Sequence, residues 1–150
     1  MALLEPPIET SSKSRHLKFV AGALVLLAAV VLYLTFRFYP EQRAAQRFFD
    51  ALAAGDTNTA YQLWKAGPSY RLQDFLADWG PNGYYGPVKS YKIIHAKAPG
   101  GSNAISVSVD ISPYSPMPDI SDVEKSRKTR VVEIWVLAAD KSFSFPVPGS

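Results

Sequence analysis

Phe19 to Phe36 reads FVAGALVLLAAVVLYLTF, eighteen consecutive residues without a charge. At a helical rise of about 1.5 Å per residue such a run covers roughly 27 Å, close to the hydrocarbon thickness of a bilayer. Only Gly22 and Thr35 interrupt it, and both are weakly polar. Lys18 and Arg37 bracket the run, placed to extend their charged ends toward the two interfaces. Tyr33, Phe36, Phe38 and Tyr39 supply the aromatic belt expected at its C-terminal boundary. A cleaved signal peptide would have a shorter apolar core followed by a small-x-small site. Here Leu-Thr-Phe-Arg-Phe-Tyr-Pro follows, bulky throughout, so the run reads as an uncleaved anchor. The expected organisation is a disordered tail over residues 1–18, a transmembrane helix over 19–38 and a folded domain over 40–150.

Orientation follows from the flanking cations. Lys13, Arg15 and Lys18 crowd one side, whereas Arg37, Arg43 and Arg47 are spread along the other. The closer cluster on a short tail predicts a cytoplasmic N-terminus and an extracytoplasmic domain.

The net charge of +3 hides an uneven distribution. Residues 40–150 carry twelve Lys/Arg against eleven Asp/Glu, so the domain itself is nearly neutral. A nucleic-acid binder needs its basic footprint on the folded part, and no nucleic-acid partner is expected. The chain has no cysteine, which removes disulfides, thiolate metal sites and cysteine nucleophiles.

After Pro40, suited to the first turn of a helix, Ala44, Ala45, Phe48, Phe49 and Leu52 recur at helical spacing. Gly55 is a natural stop and Asp56 or Thr57 a natural cap for a second helix from Thr57 to Lys65. A third helix carries Leu72, Phe75, Leu76 and Trp79, with Ser69 as a candidate cap. The period then changes. Val88 to Ala98 is strand-like, and adjacent Ile93 and Ile94 predict burial on both faces there. Ile105, Val107, Val109 and Ile111 alternate with Ser106, Ser108 and Asp110, an unmistakable strand pattern. A proline-containing loop covers 112–126, another strand pattern runs from Thr129 to Ala138, and a final one holds Phe143, Phe145 and Val147. The fold class is therefore α+β: an N-terminal transmembrane helix, then three short helices packed on a curved antiparallel sheet of about four strands.

The stretch FFDALAAGDTNTAYQLW resembles the opening helices of nuclear transport factor 2-like domains, and LQDFLADWG is similar to their third helix and its exit. The likeness covers roughly residues 41–147, with the recognisable pattern in the first forty. It departs from the family where a short strand usually separates the second and third helices, since Gly67 to Tyr70 leaves little room. The resemblance implies a cone in which helices enter a curved sheet and leave room for a pocket. Its members include enzymes and bare binding modules, so it specifies no activity.

Chemistry is sparse. His16 and His95 are the two histidines, and neither has a histidine partner in sequence; no metal or cofactor is expected. The acids Asp119, Asp122 and Glu124 lack calcium-loop spacing. If the resemblance extends to enzymes such as ketosteroid isomerases, Asp78, Asp110 or Glu133 could serve as base beside a tyrosine. Asp74 and Asp78 otherwise fall on a solvated helix face. The basic run Lys125, Arg127, Lys128 and Arg130 could touch anionic lipid or could protect an exposed strand.

The glycine- and proline-rich DFLADWGPNGYYGP, residues 74–87, reads as a helix end followed by a turn whose glycines adopt unusual backbone angles. In a cone this turn forms the rim, and Trp79, Tyr84, Tyr85, Tyr91 and Tyr114 become candidates for meeting a ligand or partner. The resulting expectation is a non-catalytic binding or accessory domain at the membrane surface. Its partners are the lipid bilayer and another membrane or envelope protein, or a small apolar ligand. The rival is a membrane-tethered isomerase or dehydratase.

Overall fold

The computed structural model describes residues 12–65, 67–115 and 130–146. Pro116, Met117 and Pro118, the acids at 119, 122 and 124, the cations at 125, 127 and 128, and Val147 lie outside them.

Two compact units divide the chain at Arg37 and Phe38. In the first, α1 runs Ser12–Phe36, so the helix begins upstream of the apolar run and takes in Lys13, Arg15 and Lys18 from the segment expected as tail. Its 25 residues cover about 37 Å at helical rise. Leu24, Val25, Leu26 and Leu27 are all exposed, as are Val30 to Leu32 on the next turns. Over residues 19–36 the helix is apolar around its circumference, and it is long and apolar enough to span a membrane. Tyr33 and Lys18 lie exposed on it, and the Arg37 amide closes its end by donating to the Tyr33 carbonyl at 2.8 Å.

The second unit holds α2 (Tyr39–Ala53), α3 (Thr57–Trp64), α4 (Leu72–Trp79) and four strands, β1 (Ser90–Lys97), β2 (Ala104–Ser112), β3 (Arg130–Leu137) and β4 (Phe143–Ser144). Consecutive strands pair antiparallel in the order β1-β2-β3-β4, an open meander. The α+β class, the three short helices and the four strands follow the sequence pattern. Pro40 occupies the first turn of α2, where its missing N–H is not needed. Gly55 takes φ +76° at the exit, and the Asp56 carboxylate accepts the Thr59 amide at 3.0 Å to start α3. For α4 the cap is not Ser69. Arg71 holds that position, and the Asp74 carboxylate reaches back to its amide at 2.9 Å.

One sheet face carries Tyr91, Ile93, Ala96, Ile105, Val107, Val109, Ile111, Val132, Ile134 and Val136, which follow from the pairing register. The helices pack there, and Phe48 is the hub of the core. Its ring lies 5.1–5.3 Å from those of Phe49, Trp64, Trp79 and Phe143. Full burial of such a side chain contributes about 1.5–3 kcal/mol before any edge-to-face gain.

Phe75 and Trp79 supply the buried pair of α4, while Leu72 and Leu76 are each 39% exposed. The eight-residue helix touches the core along a narrow stripe, with room for an i, i+4 pair only. Burial departs from expectation at Ile94, which is not buried opposite Ile93. A bulge between Ile93 and His95 leaves Ile94 without a cross-strand partner and half-exposed, so the doubled isoleucine marks an irregularity of the edge strand. Ser106 and Ser108 are buried although they alternate with the apolar residues. On a central strand, short side chains between Glu133 and Trp135 on one side and His95 and Lys97 on the other are shaded from solvent.

Candidate functional site

The turn after α4 is a knot of backbone. The Tyr84 amide donates to the Ala77 carbonyl at 2.8 Å and the Tyr85 amide to the Asp78 carbonyl at 2.7 Å. These bonds satisfy carbonyls that the end of α4 would otherwise leave unpaired. A Cβ on Gly86 would lie 1.8 Å from the Gly80 carbonyl oxygen, and one on Gly83 2.7 Å from that of Asp78. Neither residue has positive φ, which among the described glycines belongs to Gly55 and Gly101. Glycine is needed here for close approach, and the expectation of unusual backbone angles is corrected accordingly.

That geometry disperses the expected aromatic rim. Trp79 is buried. Tyr85 is half-buried and stacks on the Trp79 ring at 4.8 Å and on Phe145 at 5.4 Å. Tyr91 is half-buried at a different place, its hydroxyl donating to the Asp50 carboxylate on α2. Tyr114 is also half-buried, its carbonyl accepting from the Ser90 hydroxyl at 2.8 Å. Only Tyr84 of the five is open to solvent, at 70% exposure. Arg130 covers one side of it, with its guanidinium 5.3 Å from the ring centre and a hydrogen bond of 2.8 Å to the Tyr84 carbonyl. Between Tyr85, Pro87, Ile111 and Arg130 there is only a niche of about 30 Å³, room for one water.

The carboxylates considered for acid–base work are separated. Asp78 accepts from the Tyr70 hydroxyl at 2.6 Å, a structural latch between the α3–α4 connection and α4. It is half-buried, not on a solvated helix face as expected. Burial, then the bond to Asp78, pushes the Tyr70 hydroxyl above its ordinary range. Glu133 and Asp110 lie on the sheet face opposite the helices. The Glu133 carboxylate accepts from the Ser106 hydroxyl and sits 4.0 Å from the Lys97 ammonium. Chiefly the Ser106 bond, aided by Lys97, Trp135 and His95, holds Glu133 below the usual carboxylate range. The Trp135 indole N–H contributes through proximity alone, falling short of hydrogen-bond geometry.

His95 Nε2 lies 3.4 Å from the Ser108 hydroxyl oxygen. With Glu133 across Ser108 from His95, these residues superficially suggest a nucleophile and its base. Ser108 is only 6% exposed on an open sheet face, and the separation is long for a bond. Glu133 satisfies the buried Ser106 hydroxyl, and His95 is the polar neighbour of Ser108.

A different feature is concave. The start of α2, the end of α3 and the β3–β4 turn enclose an open groove of about 450 Å³. Ala44, Leu63 and Phe143 line it with apolar surface, alongside Tyr39 and Pro40. Arg43, Arg47, Lys65 and Lys141 also line it. The Lys141 ammonium is bound 2.7 Å from the Glu41 carboxylate, which is 5% exposed. Lys65 donates to the Asp140 backbone carbonyl. Among the described residues no ion pair holds Arg43 or Arg47. Four cations against Glu41 and Asp140 leave an excess of two positive charges in a domain whose sequence is nearly neutral.

Sequence reading missed this groove. Its one local sign is the i, i+4 spacing of Arg43 and Arg47 on α2. Lys65 and Lys141 join through left-handed backbone, φ 51° and 59°, which no periodicity announces. No protein-family model, no curated protein and no solved structure matches this chain.

Proposed function

We propose that the chain is a single-pass, membrane-anchored, non-catalytic binding domain of the nuclear transport factor 2-like kind. The domain acts at the membrane surface, on the extracytoplasmic side, where it contacts another membrane or envelope protein or a small ligand. Tethering keeps such a domain at high effective concentration beside its neighbours in the bilayer.

The observation that carries this reading is the filling of the space between helices and sheet. Phe48, Trp64, Phe75, Trp79 and Phe143 occupy it with rings in mutual contact. A tethered isomerase would need a desolvated acid and a convergent tyrosine within that space. Asp78 is instead committed to Tyr70, and Glu133 and Asp110 belong to the other face of the sheet. The anchor is supported by the exposed, uncharged run of α1 over residues 19–36.

Carbonate extraction of native membranes, followed by protease digestion of intact cells and of permeabilised ones, tests the reading. The chain should remain with the membrane pellet, and residues 40–150 should be cleaved in intact cells once any outer barrier is removed. Release by carbonate would end the anchored reading. Protection of the domain until the inner bilayer is permeabilised would reverse its orientation.

A further inference from the structure

We propose that the groove at the start of α2 binds the phosphate headgroup of an anionic glycerophospholipid drawn from the bilayer. This deepens the membrane-surface reading above and rests on it.

Three features of the groove select that ligand. The first is the pairing of charge with apolar surface. Arg43 and Arg47 stand one helical turn apart on α2, with neighbouring side chains on one face. Guanidinium groups in that arrangement donate bidentate, charge-assisted bonds to phosphate oxygens. Ala44, Leu63 and Phe143 offer the adjoining apolar surface to the first methylenes of an acyl chain. A free phosphate has no use for that surface, and a neutral apolar molecule has none for the cations.

The second feature is how the charges are held. Glu41 neutralises Lys141, and the two anchor the β3–β4 turn beside α2. Arg43 and Arg47 are exposed and keep their donors available. A zwitterionic choline headgroup would bring its own ammonium among four cations, so an anionic headgroup is preferred.

The third is size and place in the chain. About 450 Å³ falls within the range of small-molecule sites, roughly 300–1,000 Å³. Tyr39 and Pro40 follow the last residue of α1 by three and four positions in sequence. A ligand resident in the bilayer is the molecule that a tethered domain meets at the highest concentration.

The experiment uses the full chain in a neutral detergent, offered equal amounts of phosphatidylglycerol and phosphatidylcholine, with retained lipid read by native mass spectrometry. The wild-type chain should retain phosphatidylglycerol in preference. Replacing both arginines (Arg43→Gln with Arg47→Gln) should lower that retention by about thirty-fold, the loss expected for two basic residues at an anionic surface. Lys89→Gln with Lys92→Gln, which removes two cations elsewhere in the domain, should leave it unchanged. A matching thermal melt will establish that each variant is folded. Equal retention of the two lipids would overturn the proposal, as would an unchanged preference in the double arginine variant. Displacement of the lipid by excess inorganic phosphate, with phosphate itself retained, would overturn it in favour of a soluble anion. Failure of the wider reading is seen separately: a chain released by carbonate is not anchored, whereas a carbonate-resistant chain without lipid preference refutes the groove assignment alone.

Discussion

The Lys141 ammonium lies 2.7 Å from the Glu41 carboxylate, joining the first turn of α2 to a turn one hundred residues later. Glu41 is 5% exposed, so its charge is tolerated because a cation is delivered to it. Lys141 takes φ 59° to do so, a backbone region that a long side chain seldom adopts.

Loss of the cation therefore leaves a buried carboxylate unpaired. Lys141→Met should cost about 2 kcal/mol, below the usual figure for a buried pair because a third of the lysine side chain remains exposed. Adding Glu41→Gln should restore part of the loss. Denaturant titration of the full chain in neutral detergent measures both, and additive losses would show that the two residues are uncoupled.

Gly86→Ala places a methyl 1.8 Å from the Gly80 carbonyl oxygen, in backbone that has nowhere to move. A loss of about 3 kcal/mol or more is expected, at the severe end for overpacking. Gly67→Ala has nothing within 4 Å and should be neutral or slightly stabilising. Comparable melting temperatures for the two variants would contradict the close-packed turn.

The neighbouring isoleucines of β1 should respond differently. Ile93 packs against the core, and Ile93→Ala should cost about 2 kcal/mol. Ile94 is the bulge residue and half-exposed, and Ile94→Ser should stay within about 0.5 kcal/mol of wild type. Equal losses in thermal melts would mean that both faces of β1 are covered.

Alkaline pH should weaken the fold through Tyr70. Burial and Asp78 raise its folded-state pKa above the unfolded value, so the folded chain holds a proton that the unfolded chain releases. The stabilisation is complete below about pH 10, the ordinary tyrosine value, and is lost as pH rises beyond it. Tyr91, raised by burial and by Asp50, acts in the same direction. Tyr70→Phe should cost about 1 kcal/mol at neutral pH and flatten the alkaline limb in urea titrations from pH 8 to 11. An unaltered limb would place the titrating group elsewhere.

Much of the architecture could be read directly from residue order. Eighteen residues without charge declare a bilayer-length helix, and the 3.6-residue recurrence of Ala45, Phe48, Phe49 and Leu52 declares the buried face of α2. The alternation through β2 and the cap at Asp56 are equally local. All of these depend on chain geometry within a turn or a strand, which composition and spacing already encode.

The tertiary structure decided what local order leaves open. A bulge turned Ile94 outward, and neighbouring strands shaded Ser106 and Ser108. Close backbone approach, not unusual angles, requires glycine at 83 and 86. Packing also took Trp79 from an expected rim into the core and laid Tyr85 against it, while Arg43, Arg47, Lys65 and Lys141 converged on one groove. The physical reason is range. Helix and strand periods arise from neighbours a few residues apart, whereas charge pairing, register and shading depend on where distant segments meet in space.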